Sequence, residues 1–172
     1  MNKSFITATA AIAMVAISLV GCSSNNDATT SSIKISDEYV KTASMKAIGV
    51  DKAMDPMSAA FMTITNDTDT AVKLVGGSTD IAKKIEIHEV VDGVMRPIEG
   101  GLVISNGESS VLKPGGNHVM LIGLTKDLKV GDEVALTLNF SNGDKVSMTA
   151  PVKEIPAGDE PYSSATPTAT KK

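Results

Sequence analysis

The sequence is poor in cysteine, histidine and aromatic residues. Its 172 residues include one cysteine, two histidines and no tryptophan, and only 3% of them are aromatic. A single cysteine excludes a disulfide within the chain. The formal net charge of -4 argues against a nucleic-acid partner, which is bound by a basic face. With a hydrophobic content of 42%, the core of one domain must be built from Val, Ile, Leu, Met and Ala.

The residue patterns of common enzymes are absent as well. Acidic residues are scattered, and no pair of carboxylates suggests general acid-base chemistry. There is no nucleophile elbow, and the glycines of residues 113–116 lack the spacing and the following helix of a phosphate-binding loop. We therefore predict that the protein is not an enzyme.

Both histidines fall in one stretch, residues 85–122, together with Met95 and Met120. His118 and Met120 are two residues apart, so on a strand they point to the same face. His118 follows Pro-Gly-Gly, which predicts a tight turn and an accessible position near the start of a strand. His88 lies in a run rich in β-branched residues, on the face opposite to its isoleucines.

A hairpin is predicted between the first histidine and the next methionine. Asp92-Gly93 between two valines is a strong hairpin signal, and it places His88 and Met95 on the two arms. Imidazole suits copper, and a thioether selects Cu(I), so two of each can form a copper site. Taken singly, each residue has an ordinary alternative, because His88 fits a surface histidine, His118 a turn histidine and Met120 a core side chain.

The same stretch resembles the PCuAC-type copper chaperones, which are extracytoplasmic carriers of Cu(I). The resemblance rests on His88, on Met-Arg-Pro at residues 95–97, and on Pro-Gly-Gly-x-His-x-Met at residues 114–120. It continues through residues 121–124, 128–132 and 136–140. Many members have a longer spacing between the first histidine and the methionine. Here six residues separate them, and a shorter hairpin would absorb the difference.

This resemblance implies a cupredoxin-like Greek-key β-barrel or sandwich. The sequence pattern agrees, because many short strands separated by turn residues are typical of an all-β sandwich or barrel. The resemblance also implies one Cu(I), a metal site of His88, Met95, His118 and Met120, and delivery of the copper to cytochrome c oxidase or another copper-transfer protein. Met54 and Met57 flank Asp55-Pro56 in a predicted loop and are candidates for a second soft site.

The N-terminus has the pattern of a targeting segment. Lys3 precedes an apolar run over residues 5–20 that is too short for a spanning helix and fits a signal peptide. The run ends in Leu-Val-Gly-Cys at residues 19–22, which resembles a bacterial lipobox. This predicts cleavage before Cys22, lipidation of Cys22 and an extracytoplasmic protein anchored to the cell membrane. The alternative is an ordinary signal peptide followed by a chance cysteine.

The predicted organisation has four parts. Residues 1–21 form a lipoprotein signal peptide, residues 22–34 a flexible linker, residues 35–155 the copper-binding β domain and residues 156–172 a disordered tail.

Three other functions are alternatives to a copper chaperone. A blue-copper electron carrier needs a cysteine thiolate at the metal, and the one cysteine lies in the lipobox. A lipoprotein that buffers copper for resistance would use the same site without a recipient. A metal-free β-sandwich lipoprotein would bind another protein instead. The sequence does not separate buffering from delivery.

Overall fold

The computed structural model of the protein describes residues 32–45, 55–155 and 163–164. Within these ranges the chain forms eleven strands and no helix, so the predicted all-β class is confirmed. None of the described segments is a helix long and apolar enough to span a membrane. The strands are β1 (Ile33–Lys41), β2 (Met57–Asn66), β3 (Val72–Ser78), β4 (Ala82–Val91), β5 (Val94–Pro97), β6 (Leu102–Ile104), β7 (Ser109–Leu112), β8 (His118–Leu124), β9 (Glu133–Phe140), β10 (Lys145–Lys153) and β11 (Ser163–Ser164).

Most strands form backbone hydrogen bonds with strands that are distant in the sequence. The order across the sheet is β11-β5-β4-β8-β2-β1-β10-β9-β3-β6, and β7 pairs with β2 beside this path. Strand β2 has two partners besides β1: its first half pairs with β8 and its second half pairs with β7. The parallel pairing of β1 with β10 joins the part of the sheet that contains β4 and β8 to the part that contains β9 and β3.

The main core follows the alternation of the strands. In β9, Val134, Leu136, Leu138 and Phe140 are all buried, as the sequence pattern predicts. In β2 the core residues are Ala60, Met62 and Ile64, so Met62 serves in packing. Burying a side chain of the size of Ile64 stabilises the fold by about 1.5–3 kcal/mol. The core therefore determines the register of β2, and β2 in turn positions β8.

Strands β2 and β8 depart from alternation, because both of their faces are buried. Ala59 and Phe61 lie on the face of β2 opposite to the core and are 5% and 0% exposed. On β8 the same face carries His118 and Met120, which are also buried. The rings of Tyr39 and Phe61 are 5.2 Å apart on this side. A second apolar surface, separate from the main core, therefore surrounds the predicted copper ligands.

Some segments differ from what the sequence predicts, and other predictions concern residues outside the described ranges. β1 begins at the buried Ile33, two residues before the domain start predicted at residue 35. The prediction that Met57 lies in a loop is wrong, because Met57 begins β2 and pairs with Ile122 of β8. Met54, Cys22 and the predicted signal peptide lie outside the described residues. Within residues 156–172, Ser163–Ser164 form β11, which pairs in parallel with β5.

Candidate metal centre

The predicted hairpin between β4 and β5 is confirmed. Val91 pairs with Val94, and the two residues between them have positive φ, 53° at Asp92 and 74° at Gly93. Asp and Gly tolerate this conformation, and a two-residue turn of this kind matches the twist of the flanking strands. The short turn sets Met95 opposite Val90, two residues beyond His88 on the same face of β4.

The pairing of β4 with β8 brings the two histidines together. His88 lies directly opposite His118, and their ring centroids are 5.7 Å apart. The next pair on the same face is Glu86 with Met120. Because side chains alternate along a strand, all four of these residues share one face of the sheet.

The thioether of Met95 lies close to His118. Its Sδ atom lies 3.0 Å from Nε2 of His118. The spacing of six residues between His88 and Met95 is therefore compatible with a thioether at the histidine pair. Met120 is placed by strand register, opposite Glu86 on β4 and Ala59 on β2, and is 7% exposed.

His118 is buried, and the prediction that it is accessible is wrong. It is 0% exposed, and the ring of Phe61 from β2 lies 6.2 Å from its own. The predicted turn before it is present: Gly115 has a φ of 73°, and the Gly116 amide donates to the Lys113 carbonyl. The turn sets the start of the strand, but β2 lies alongside β8 and covers the imidazole. His88 is 8% exposed and is also buried.

The hydrogen bonds of His118 determine its tautomer. Its Nδ1 lies 2.9 Å from the carbonyl oxygen of Gly116, which can only accept. Nδ1 therefore carries the proton of the neutral ring, and Nε2 presents its lone pair toward Met95. Burial lowers the pKa of His118, and the neighbouring His88 lowers it further, while the bond to Gly116 acts in the opposite direction. The neutral form, which binds metals, is favoured.

His88 also has a ring nitrogen that is suited to bind a metal ion. Its Nδ1 is buried and finds no hydrogen-bond partner among the described residues. Leaving such an atom unpaired costs about 1–3 kcal/mol, and a metal ion would satisfy it. Its other nitrogen, Nε2, lies 2.8 Å from Oε2 of Glu86. The pKa of Glu86 is lowered, first by a hydrogen bond from Lys84 and then by the one from His88, so its carboxylate form is favoured.

The donor set fits a soft, monovalent ion. In the part of the chain that the structure describes, no group of three or more His, Cys, Asp and Glu residues is suited to a metal ion. Calcium and magnesium prefer several oxygen ligands, whereas imidazole together with thioether suits Cu(I). Two neutral imidazoles beside a thioether are therefore chemically matched to copper.

Comparison with protein families identifies the chain. The family model described as "Putative lipoprotein LpqE-like" matches residues 33–152. The chain belongs to the LpqE-like family. A relative from Leifsonia xyli subsp. xyli, named "Putative lipoprotein Lxx21020", is 30% identical over 157 residues, which is 88% of this chain and 92% of the relative. The names of the family and of this relative agree with an extracytoplasmic location for the LpqE-like protein.

Solved structures similar to this LpqE-like protein include PCuAC domains. The copper-bound PCuAC domain from PmoF2 is 19% identical, with a TM-score of 0.55 over 72% of this chain and 94% of that domain. The solution structure of CuI-DR1885 from Deinococcus radiodurans is 31% identical, with a TM-score of 0.51 over 70% of this chain and 78% of that protein. The predicted cupredoxin-like fold and the PCuAC resemblance are confirmed. These matches also agree with the prediction that the protein is not an enzyme.

Sequence reasoning missed two residues of this centre. Glu86 is visible in the sequence, two residues before His88 on the same strand face, but its hydrogen bond to the ring was not predicted. Phe61 alternates along β2 with the core residues and therefore lies on the opposite face, but no sequence signal shows that this face lies against His118.

Proposed function

We propose that this LpqE-like protein is a Cu(I) carrier in which His88, Met95, His118 and Met120 hold one copper ion. The observation that carries the proposal is the distance of 3.0 Å between the lone-pair nitrogen of His118 and Sδ of Met95. The buried, unpartnered Nδ1 of His88 supports it. The similarity to CuI-DR1885 supports the choice of ion.

The ligand set suits a protein that must release its metal. Imidazole and thioether bind as neutral groups, so no thiol has to be deprotonated when copper arrives or protonated when it leaves. Met95 is on a four-residue strand and is only half-buried, whereas His118 is fully buried. We infer that Met95 exchanges first when a recipient takes the ion. Methionine also avoids the reactive thiolate that an oxidising compartment would oxidise.

We further propose that the protein acts at the outer face of the cell membrane. The lipobox-like residues 19–22 support lipidation of Cys22, and the lipoprotein names of the family and the Leifsonia relative support the same reading. By the PCuAC resemblance, the recipient is a copper centre of cytochrome c oxidase or another copper-transfer protein.

Copper binding is tested by anaerobic titration of the purified protein with Cu(I) in competition with a coloured chelator. We expect one copper ion per chain to be withdrawn from the chelator. The double variant His88→Ala/His118→Ala is the control, with circular dichroism to verify that it is folded. A wild-type protein that withdraws no copper would refute the proposal.

Delivery is tested separately with an apo copper-centre domain of cytochrome c oxidase. Mixing with the copper-loaded protein should fill that centre at stoichiometric concentration. Copper that stays on the LpqE-like protein, together with intact binding in the first experiment, would favour the buffering function over delivery.

A further inference from the structure

Three side chains form a row along one face of β4, leading to the copper site. Oε2 of Glu86 lies 2.8 Å from Nε2 of His88. The other carboxylate oxygen, Oε1, forms an ion pair with Nζ of Lys84, two residues further back on the strand. Lys84 is largely exposed, Glu86 is mostly covered and His88 is buried. The row therefore runs from solvent to the histidine.

The carboxylate restricts the histidine to one tautomer. An ionised carboxylate only accepts hydrogen bonds, so a neutral His88 must carry its proton on Nε2 in order to donate to Glu86. The lone pair then resides on Nδ1, which is the buried atom without a partner among the described residues. In His118 the arrangement is reversed, because the Gly116 carbonyl holds the proton on Nδ1 and leaves the lone pair on Nε2.

We propose that Glu86 is a positioning residue that selects the tautomer of His88 and directs Nδ1 of that ring to the copper ion. The inference rests on the proposed function and adds the ligand atoms to it: Nδ1 from His88 and Nε2 from His118. Two rings on adjacent strands can direct lone pairs to one point between them when they use different nitrogens. Partners of this kind typically change metal affinity by about 10–100-fold when removed.

A purely structural role for Glu86 is the competing explanation. An exposed ion pair contributes little to stability and has no influence on a histidine proton. The chain contains a natural comparison in Glu89, which also pairs with a cation across a short distance, 2.8 Å to Nε of Arg96. Glu89 lies on the opposite face of β4 from Glu86, so its carboxylate points away from the His88 face.

Two variants separate these explanations. In Glu86→Gln the size is kept, and Lys84, which can only donate, favours the amide oxygen at its own side. The amide NH₂ group then faces His88 and favours the lone pair on Nε2, which reverses the tautomer. Glu86→Ala removes the acceptor altogether. Glu89→Gln is the matched control.

The tautomer is read without copper, by long-range ¹⁵N–¹H NMR of the purified apo-protein near pH 8, above the ordinary histidine pKa of about 6.5. We expect the Nε2–H form of His88 in the wild type and in Glu89→Gln, and a shift toward Nδ1–H in Glu86→Gln. In chelator competition, both Glu86 variants should bind Cu(I) about 10–100-fold more weakly than the wild type.

The tautomer and the Cu(I) affinity test different parts of the proposal. An unchanged tautomer in both Glu86 variants, or a wild-type His88 with its proton on Nδ1, would overturn the positioning role whether or not copper binds. A shifted tautomer with unchanged affinity would overturn the assignment of Nδ1 as the ligand atom. A wild type that shows the expected tautomer but binds no Cu(I) would refute the proposed function, and the copper role of Glu86 with it. Dispersed amide NMR signals verify that Glu86→Gln, the variant of unchanged size, is folded.

Discussion

His88 and His118 are direct cross-strand partners of β4 and β8, with ring centroids 5.7 Å apart. A slip of one residue in this pairing would turn one histidine to the opposite face of the sheet, which carries the core. The register is held by core residues on the opposite face of the same two strands. The adjacent pair, Ile87 opposite Val119, is buried. The packing of the fold therefore creates the histidine pair.

Either histidine should be indispensable for copper. We expect His88→Ala and His118→Ala each to lower Cu(I) affinity by more than about a hundredfold, since loss of a ligand should exceed the effect of losing a partner of a ligand. Chelator competition measures the affinities, and circular dichroism verifies the fold. Unchanged affinity in either variant would refute the four-ligand site.

The thioethers should contribute less than the imidazoles, and Met95 tests the shortened spacing. We expect Met95→Ala to weaken Cu(I) binding by about tenfold, or about 1.4 kcal/mol. Met120→Ala should also weaken binding less than the histidine variants do. Met45→Ala is the control, because Met45 is 40% exposed and its amide contacts Asp127, beyond the end of β8 remote from His118. Equal affinity of Met95→Ala and Met45→Ala would reduce the site to three ligands.

The apo-protein should lose stability as the pH falls below about 6.5. Burial lowers the pKa of His118 in the folded protein, so the unfolded chain binds that proton first. The free energy of unfolding therefore rises with pH. On acidification it falls by up to about 1.4 kcal/mol per pH unit. Its titratable neighbours on this face are His88 and, beyond that ring, Glu86, whose lowered pKa takes effect only at more acidic pH.

Urea unfolding at several pH values measures this slope. His118→Gln removes the titrating group while keeping a polar side chain, and it should flatten the dependence between about pH 5.5 and 7.5. A variant as sensitive to pH as the wild type would show that another group is responsible.

Copper(II) bound to the protein should lack the intense visible band of a thiolate-copper centre. The one cysteine is Cys22, in the predicted lipobox, and no cysteine follows it. The absorption spectrum of the Cu(II)-treated Cys22→Ser protein tests this. A strong blue colour in that variant would contradict the His/Met ligand set.

Replacing Cys22 should prevent lipidation of the protein. We expect Cys22→Ala to be released from membranes or to accumulate as an uncleaved precursor, because the acylated sulfur is lost. Fractionation with immunoblotting measures both. A variant that is cleaved normally and stays membrane-bound would contradict the lipobox interpretation.

Features that depend on neighbouring residues can be predicted from the sequence alone. The alternation of β9 predicts its buried face, Asp92-Gly93 predicts the hairpin, and the spacing of His118 and Met120 places both on one face. These inferences succeed because strand alternation and turn conformation are properties of a few consecutive residues.

The choice of partner strands, in contrast, depends on the tertiary fold. The register of β4 with β8 sets His88 opposite His118, and the position of β2 beside β8 buries His118 against Phe61, where the local turn predicted an accessible site. Burial lowers the pKa of His118, and Nδ1 of His88 is itself buried without a partner among the described residues. These properties arise from packing between segments distant in sequence, and their register is chosen by the core as a whole, so no local pattern contains them.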